Sequence, residues 1–214
     1  EGKYKLTETK APDGYELPEN YAVIFTVQKD GSLVINEVNV NNQTLTSDYS
    51  QYISLDSQKV VLTLKDTPIH ITLTKVDSSD PAKTLAGAQF ELYDITDKSS
   101  IIDKGQFTTN AQGQIEFNEN HFIYNHTYRL VETKAADGYK LPDALTIEFT
   151  IAQDGNILNI TSNKEEYLID NQQDLDAMTI QNEPIIISLK KTDYVNHTVE
   201  TKPALENVKF VIKE

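Results

Sequence analysis

Several polar side chains in this 214-residue chain stand where an apolar residue is expected. On a β-strand, residues two apart share a face. The row Ile69, Ile71, Leu73 is apolar and ends in Lys75. The row Tyr128, Leu130 ends in Glu132, and the row Met178, Ile180 ends in Asn182. Three further rows repeat the pattern: Tyr4 and Leu6 lead to Glu8, Leu62 and Leu64 to Asp66, and Ile187 and Leu189 to Lys191. A core-facing row is destabilised by an isolated charge, so such groups neutralise or pair. One reading is that the rows end at a sheet rim and reach water. A second is a buried Lys–Glu ion pair. A third is covalent: a lysine amine attacks the side-chain acyl carbon of Asn or Asp to form an isopeptide bond. Only the third accounts for Asn182 and Asp66 at one aligned position, because amide and acid are alternative electrophiles for the same bond.

Burial supplies the chemistry of the third reading. Desolvation lowers a lysine pKa and raises a glutamate pKa, so a neutral amine beside a protonated carboxyl becomes the preferred pair. Lys75 then attacks Cγ of Asn182, while Glu132 polarises the side-chain carbonyl and passes a proton to departing ammonia. Effective molarities of about 10⁵–10⁸ M for reactants held in contact replace an external enzyme. The event is a single self-modification without turnover, so the chain is not an enzyme in the ordinary sense. Glu132 and Glu8 are the candidate catalytic acids. Lys75, Asn182, Asp66 and Lys191 are the candidate bond-forming residues.

The elements that position these residues belong to an internal repeat. YKLTETKAPDGY, from Tyr4 to Tyr15, matches YRLVETKAADGY, from Tyr128 to Tyr139, at an offset of 124, and the match continues through the next seventeen residues. LKDTPIHITLTKVD, from Leu64, matches IQNEPIIISLKKTD, from Ile180, at an offset of 116. The repeat is cut out of phase. Residues 1–68 match the back part of a copy, residues 69–184 a complete copy, and residues 185–214 the front part of a third. Copies follow each other through Pro68 and Pro184 without a linker, which suits a rod. Val23, Phe25, Val27 and Leu145, Ile147, Phe149, Ile151 alternate with polar residues, and Asp30-Gly31 and Asp154-Gly155 mark hairpin turns. The expected fold class is all-β: tandem antiparallel β-sandwich domains.

Composition narrows the partners. A net charge of −14 argues against nucleic acid and against anionic membrane surfaces. The absence of Cys excludes disulfides and thiol chemistry. No stretch approaches a membrane-spanning length. The four histidines lack metal-ligand spacing, and Asp77, Asp80, Asp94 and Asp97 lack the pattern of a calcium loop. No cofactor is implied. A glycan hydrolase using Glu132 with Asp137 or Glu8 is a further class, disfavoured because Glu132 stands on an inward row.

The twelve-residue motif, through Tyr4, Leu6, Glu8, Thr9, Ala11, Pro12, Gly14 and Tyr15, resembles the E-box of Gram-positive pilins and Cna B-type repeat domains. The second copy departs only at Ala136, where the family has Pro. LTKVD around Lys75, LAGAQFELY from Leu85, and Gln181-Asn182-Glu183-Pro184 resemble the family's lysine strand, its downstream stretch and its closing motif. The resemblance implies a transthyretin-like or inverse immunoglobulin-like sandwich with an intramolecular isopeptide bond. It places the nucleophile at Lys75, the acyl partner at Asn182 and the acid at Glu132. Glu8 and Asp66 take the corresponding roles in the first part-copy, and Lys191 in the last. It further implies a structural stalk or spacer of an extracellular, cell-wall-anchored adhesin or pilin of a Gram-positive bacterium. The alternative is a ligand-binding adhesive module with a host matrix partner. Neighbouring repeats are the expected partners. Two readings of the part-copies stand side by side: residues 185–214 of another copy complete residues 1–68 in trans, or the sequence is a window on a longer protein.

Overall fold

The computed structural model describes residues 1–58, 60–97, 101–169 and 176–189. The chain divides into two compact units, Glu1–Pro184 and Ile185–Glu214. Of the second unit, Ile185, Ile186, Ile187 and Leu189 are described, and all four are exposed. Among the described residues no helix is long and apolar enough to cross a membrane.

The first six strands are β1 (Gly2–Thr7), β2 (Ala22–Val27), β3 (Leu33–Val40), β4 (Gln43–Leu45), β5 (Ile53–Asp56) and β6 (Val61–Leu64). β1 to β4 form one antiparallel sheet in chain order, and β5 pairs with β6 in another. Tyr21, Val23, Val38, Val40 and Ile53 make a small core between them. The Tyr21 hydroxyl donates to the Tyr52 carbonyl at 2.7 Å, tying the two sheets together. At the Asp30-Gly31 turn, only Gly31 takes a positive φ, +86°. Gly31 N–H donates to Gln28 O and Gln28 N–H donates to Ser32 O, a three-residue hairpin loop closed by a glycine bulge.

Nine further strands follow: β7 (Ile71–Asp77), β8 (Gln89–Asp94), β9 (Ile102–Thr108), β10 (Gln114–Phe117), β11 (Thr127–Lys134), β12 (Thr146–Ile151), β13 (Ile157–Ser162), β14 (Leu168–Ile169) and β15 (Ala177–Asn182). They form a four-stranded sheet of order β10-β7-β15-β14 and a five-stranded sheet of order β13-β12-β11-β8-β9. The facing rows alternate as a half-buried strand must. Ile71 and Leu73 of β7 and Met178 and Ile180 of β15 meet Phe90, Leu92, Tyr128, Leu130, Ile147 and Phe149 of the other sheet. Phe122, just before β11, packs edge-on against Phe117 and Tyr128, with ring centroids 5.6 and 5.0 Å away.

The all-β architecture and the antiparallel sheets are as expected from the alternation, with one addition. β15 pairs with β7 in parallel. The first and last strands of the copy run the same way and lie side by side, because the whole five-stranded sheet serves as the crossover between them.

The aligned rows differ sharply in burial. Tyr128 and Leu130 are 0% and 1% exposed, whereas their counterparts Tyr4 and Leu6 are 53% and 45% exposed. β11 is flanked by both β8 and β12; β1 pairs only with β2 among the described residues. The inward row expected in residues 1–68 is thus uncovered: among the described residues β1 has a strand on one side only, and the small core lies over β2 and β3. Leu130→Ala should accordingly destabilise by about 2–5 kcal/mol in denaturant titration. Leu6→Ala should stay within about 0.5 kcal/mol. Equal effects would contradict the described difference in packing.

Candidate functional site

Lys75, Glu132 and Asn182 converge in the core of residues 69–184. β7 continues the row Ile71, Leu73 into Lys75. In the parallel ladder Ile180 lies opposite Lys75 and Asn182 opposite Asp77, so Asn182 is the diagonal neighbour of Lys75 on the same face. A long side chain spans that separation. Glu132 comes from the facing sheet. It sits opposite Phe90, immediately before a register shift between β11 and β8. Such a bulge locally re-aims the strand.

Lys75 and Asn182 are fully buried and Glu132 nearly so, which removes the rim reading for this copy. Lys75 Nζ donates to Glu132 Oε2 at 3.2 Å and to the Gln181 carbonyl at 3.0 Å. Asn182 Nδ2 donates to the same Glu132 oxygen at 3.2 Å. The Lys75 ammonium lies 5.8 Å from the centroid of the Phe90 ring. Glu132 Oε1 and Asn182 Oδ1 are buried without a hydrogen-bond partner. An orphaned carbonyl oxygen beside a carboxyl has a simple remedy. Turning the Asn182 amide half a revolution brings Oδ1 to Glu132, which can satisfy it only by carrying a proton.

The electrostatics favour that protonated state. Burial pushes the Lys75 ammonium down to about 8, against the opposing pull of Glu132. Burial pushes the Glu132 carboxyl up, with Lys75 and the Asn182 hydrogen bond acting against it. Both shifts move the proton from amine to carboxyl. A neutral amine, a protonated carboxyl and a side-chain amide in one dry pocket are the requirements of acyl transfer to lysine.

Residues 1–68 hold a looser counterpart. Glu8 is half-buried with Oε2 unpartnered, and its carboxyl is pushed up first by burial and then by repulsion from Asp66. Its backbone N–H donates to Tyr21 O at 3.1 Å. Asp66 is half-buried just beyond β6. Lys191, the expected lysine for this pair, lies outside the described residues.

Other groups take separate roles. Asp137 is on the surface, its carboxylate 3.7 Å from Lys134 Nζ, and does not join Glu132. His126 Nδ1 lies 2.8 Å from Asp94 Oδ2. Among the described residues no group of three or more His, Cys, Asp or Glu side chains is arranged to hold a metal. Two supporting contacts escape a reading by strand parity. One is the Gln181 carbonyl that accepts from Lys75. The other is the Tyr139 hydroxyl, which donates to Asp77 Oδ2 at 2.7 Å and, as the largest cause, lowers that carboxyl to about 2. The first involves a backbone atom, and the second joins residues far apart in sequence.

Residues 1–44 and 69–166 match the family model described as the SpaA prealbumin-like fold domain, and the chain belongs to that family. Among solved structures it is similar to the C-terminal fragment of the pilus adhesin SpaC from Lactobacillus rhamnosus GG, at 25% identity and a TM-score of 0.44, covering 88% of this chain and 78% of that one. It is also similar to the group B streptococcus pilus 2b backbone protein, at 20% identity and a TM-score of 0.38, covering 84% and 55%. A third is the Bacillus anthracis TIE protein, at 22% identity and a TM-score of 0.42, covering 86% and 25%. No curated protein sequence matches the chain.

The pH dependence of the chemistry follows from the two shifts. The amine is increasingly protonated below about 8. The Glu132 carboxyl, though raised, loses its proton at higher pH. Ammonia release from chain synthesised into denaturant and then folded should therefore slow on both the acid and the alkaline side of an optimum, read by timed intact mass. A rate independent of pH would contradict the neutral-pair chemistry.

Proposed function

We propose that the chain is a structural stalk segment of an extracellular, wall-anchored adhesin or pilin, whose complete repeat, residues 69–184, seals itself with a Lys75–Asn182 isopeptide bond. The observation that carries this reading is the buried contact of Lys75, Glu132 and Asn182 between the first and last strands of one sandwich. Lys75 Nζ forms the new amide with Asn182 Cγ. The C–N bond to the Asn182 amide nitrogen breaks, and ammonia leaves with protons relayed through Glu132. The resemblance of both twelve-residue motifs to the E-box supports the surface location. The second stretch that matches the SpaA prealbumin-like family begins at residue 69, which supports a repeat boundary at Pro68.

The mechanical consequence follows from position. Lys75 lies near the start of the copy and Asn182 near its end. Tension entering at Ile69 and leaving at Pro184 would pass through the bond and bypass the strands between. A cross-link closing so long a loop also contributes about 4–5 kcal/mol on the chain-entropy view used for disulfides. The folded chain should weigh about 17 Da less than its sequence, one ammonia, and Glu132→Gln should restore the full mass. A full mass in the parent chain would leave the trio a buried polar cluster and remove the covalent part of the reading.

A specific observation extends the reading to residues 1–68. Glu8 Oε2 is buried and unpartnered, and Tyr4 and Leu6 lie bare beside it. We infer that this face takes a lysine-bearing strand with the pattern of Ile187, Leu189 and Lys191, supplied by a second copy. Lys191 would then condense with Asp66 and release water. Concentrated protein should give a ladder on a denaturing gel, with about 18 Da lost per junction and no ladder in Lys191→Arg. A chain that stays monomeric with Asp66 unreacted would refute the intermolecular arrangement and leave the Lys75–Asn182 bond untouched.

A further inference from the structure

Residues 1–68 meet the sandwich of residues 69–184 through a turn whose twin, residues 136–141, has no such contact among the described residues. The turn runs from Pro12 to Leu17. Tyr15 N–H donates to Pro12 O at 3.1 Å, and Gly14 O accepts from Ile69 N–H at 2.8 Å. Leu17 N–H then crosses to the sandwich and donates to Gln153 O at 2.8 Å. Gly14, at φ +88°, lies so close that a Cβ built there would stand 2.0 Å from the Glu119 backbone oxygen. From the other side, a Cβ on Gly155 would stand 3.0 Å from Glu16 Cγ and Oε1.

The aligned turn from Ala136 to Leu141 has the same local structure. Tyr139 N–H donates to Ala136 O at 3.1 Å, and Gly138 also takes φ +88°. Yet among the described residues nothing lies within 4 Å of a Cβ built at Gly138. Leu17 is 8% exposed and its counterpart Leu141 is 48% exposed. The glycine is demanded by the backbone in both turns, and among the described residues Gly14 alone of the two is also pressed by an adjoining copy.

Glu16 adds charge to this joint. The charged groups bearing on it are Asp154, in the turn between β12 and β13, and Asp176, just before β15. Asp154 is engaged by Asn156, whose N–H and Nδ2 donate to it at 3.2 and 2.8 Å. Glu119 borders the joint through its backbone oxygen. The aligned residue in the next copy is Lys140, whose Nζ donates to Glu183 Oε2 at 2.8 Å.

We propose that the turn Pro12–Leu17 is a clasp that fixes one repeat onto the next, and that Glu16 makes this clasp loosen as the surroundings become alkaline. The inference rests on the repeat boundary at residue 68 and is independent of the isopeptide bond. Its sign follows from the environment. Burial, then Asp154 and Asp176, raise the Glu16 carboxyl from 4.5 to about 7. A raised acid favours the closed clasp while it is protonated, fully below 4.5, and the preference is lost as pH rises through about 7.

Amide hydrogen exchange at Leu17 reads the clasp directly, because its N–H leaves the turn for Gln153. Gly14→Ala should lower Leu17 protection about tenfold or more, through the clash with Glu119. Gly138→Ala, with the same backbone strain and no neighbour to strike, should leave Leu17 unchanged. In the parent chain the Leu17 protection factor, corrected for intrinsic exchange, should fall as pH rises through about 7. Glu16→Gln should hold it constant, and Glu16→Lys should hold it high on the alkaline side, where Asp154 and Asp176 become partners. Equal effects of the two glycine variants would overturn the clasp. A fall with pH that persists in Glu16→Gln would overturn the role of Glu16, and this conservative variant is informative even if Gly14→Ala fails to fold.

Discussion

A lysine with no access to water sets the terms for residues 69–184. Moving an ammonium from water into a protein interior costs several kcal/mol even after relaxation. The core around Lys75 offers one carboxyl, one backbone carbonyl and an aromatic face to offset that cost. This is a sparse set for a charge, and a sufficient one for a neutral amine. The same dryness that makes the ammonium costly raises Glu132 and pushes the proton onto it. Both shifts bring the polar cluster closer to proton transfer from amine to carboxyl, the direction that the proposed nucleophile and proton donor require.

The topology gives that chemistry its placement. Because β7 and β15 are adjacent and parallel, the two reactants come from opposite ends of the copy while sharing a ladder. Glu132 comes from the other layer and accepts from both side chains through one oxygen. The aromatic packing of Phe117, Phe122, Tyr128 and Phe149 lies further along the same core and holds the layers together, while Phe90 lies near Lys75. Tyr139 fixes the turn after β11 to the end of β7 through Asp77, and the bridge between Tyr139 and Pro184 closes the copy.

Strand parity made much of this legible. Rows ending in Lys75, Glu132 and Asn182 are visible because period-two alternation forces a face on every residue, and a polar residue on the apolar face stands out. The parallel pairing of β7 with β15 was not legible, since alternation is the same for parallel and antiparallel neighbours. Nor was the bare state of Tyr4 and Leu6. Their motif is nearly identical to that of Tyr128 and Leu130, and burial is decided by what lies across the sheet. The joint at Gly14 and Glu16 was hidden for a related reason. A glycine in a turn reads as a backbone requirement, and only its distance from Glu119 reveals the second one.

The contrast between the two copies bears on when the chemistry becomes available. Glu8 sits in the same motif as Glu132, and its carboxyl is also raised, but among the described residues its buried Oε2 has no hydrogen-bond partner. A lysine that stays in contact with water keeps its proton. On the proposed chemistry, reactivity is therefore a property of the finished sandwich, which needs both the first strand and the last. The proposed bond would not form on a partly folded copy and trap it. It would close behind folding, so that each sealed repeat is one that has already reached its native arrangement.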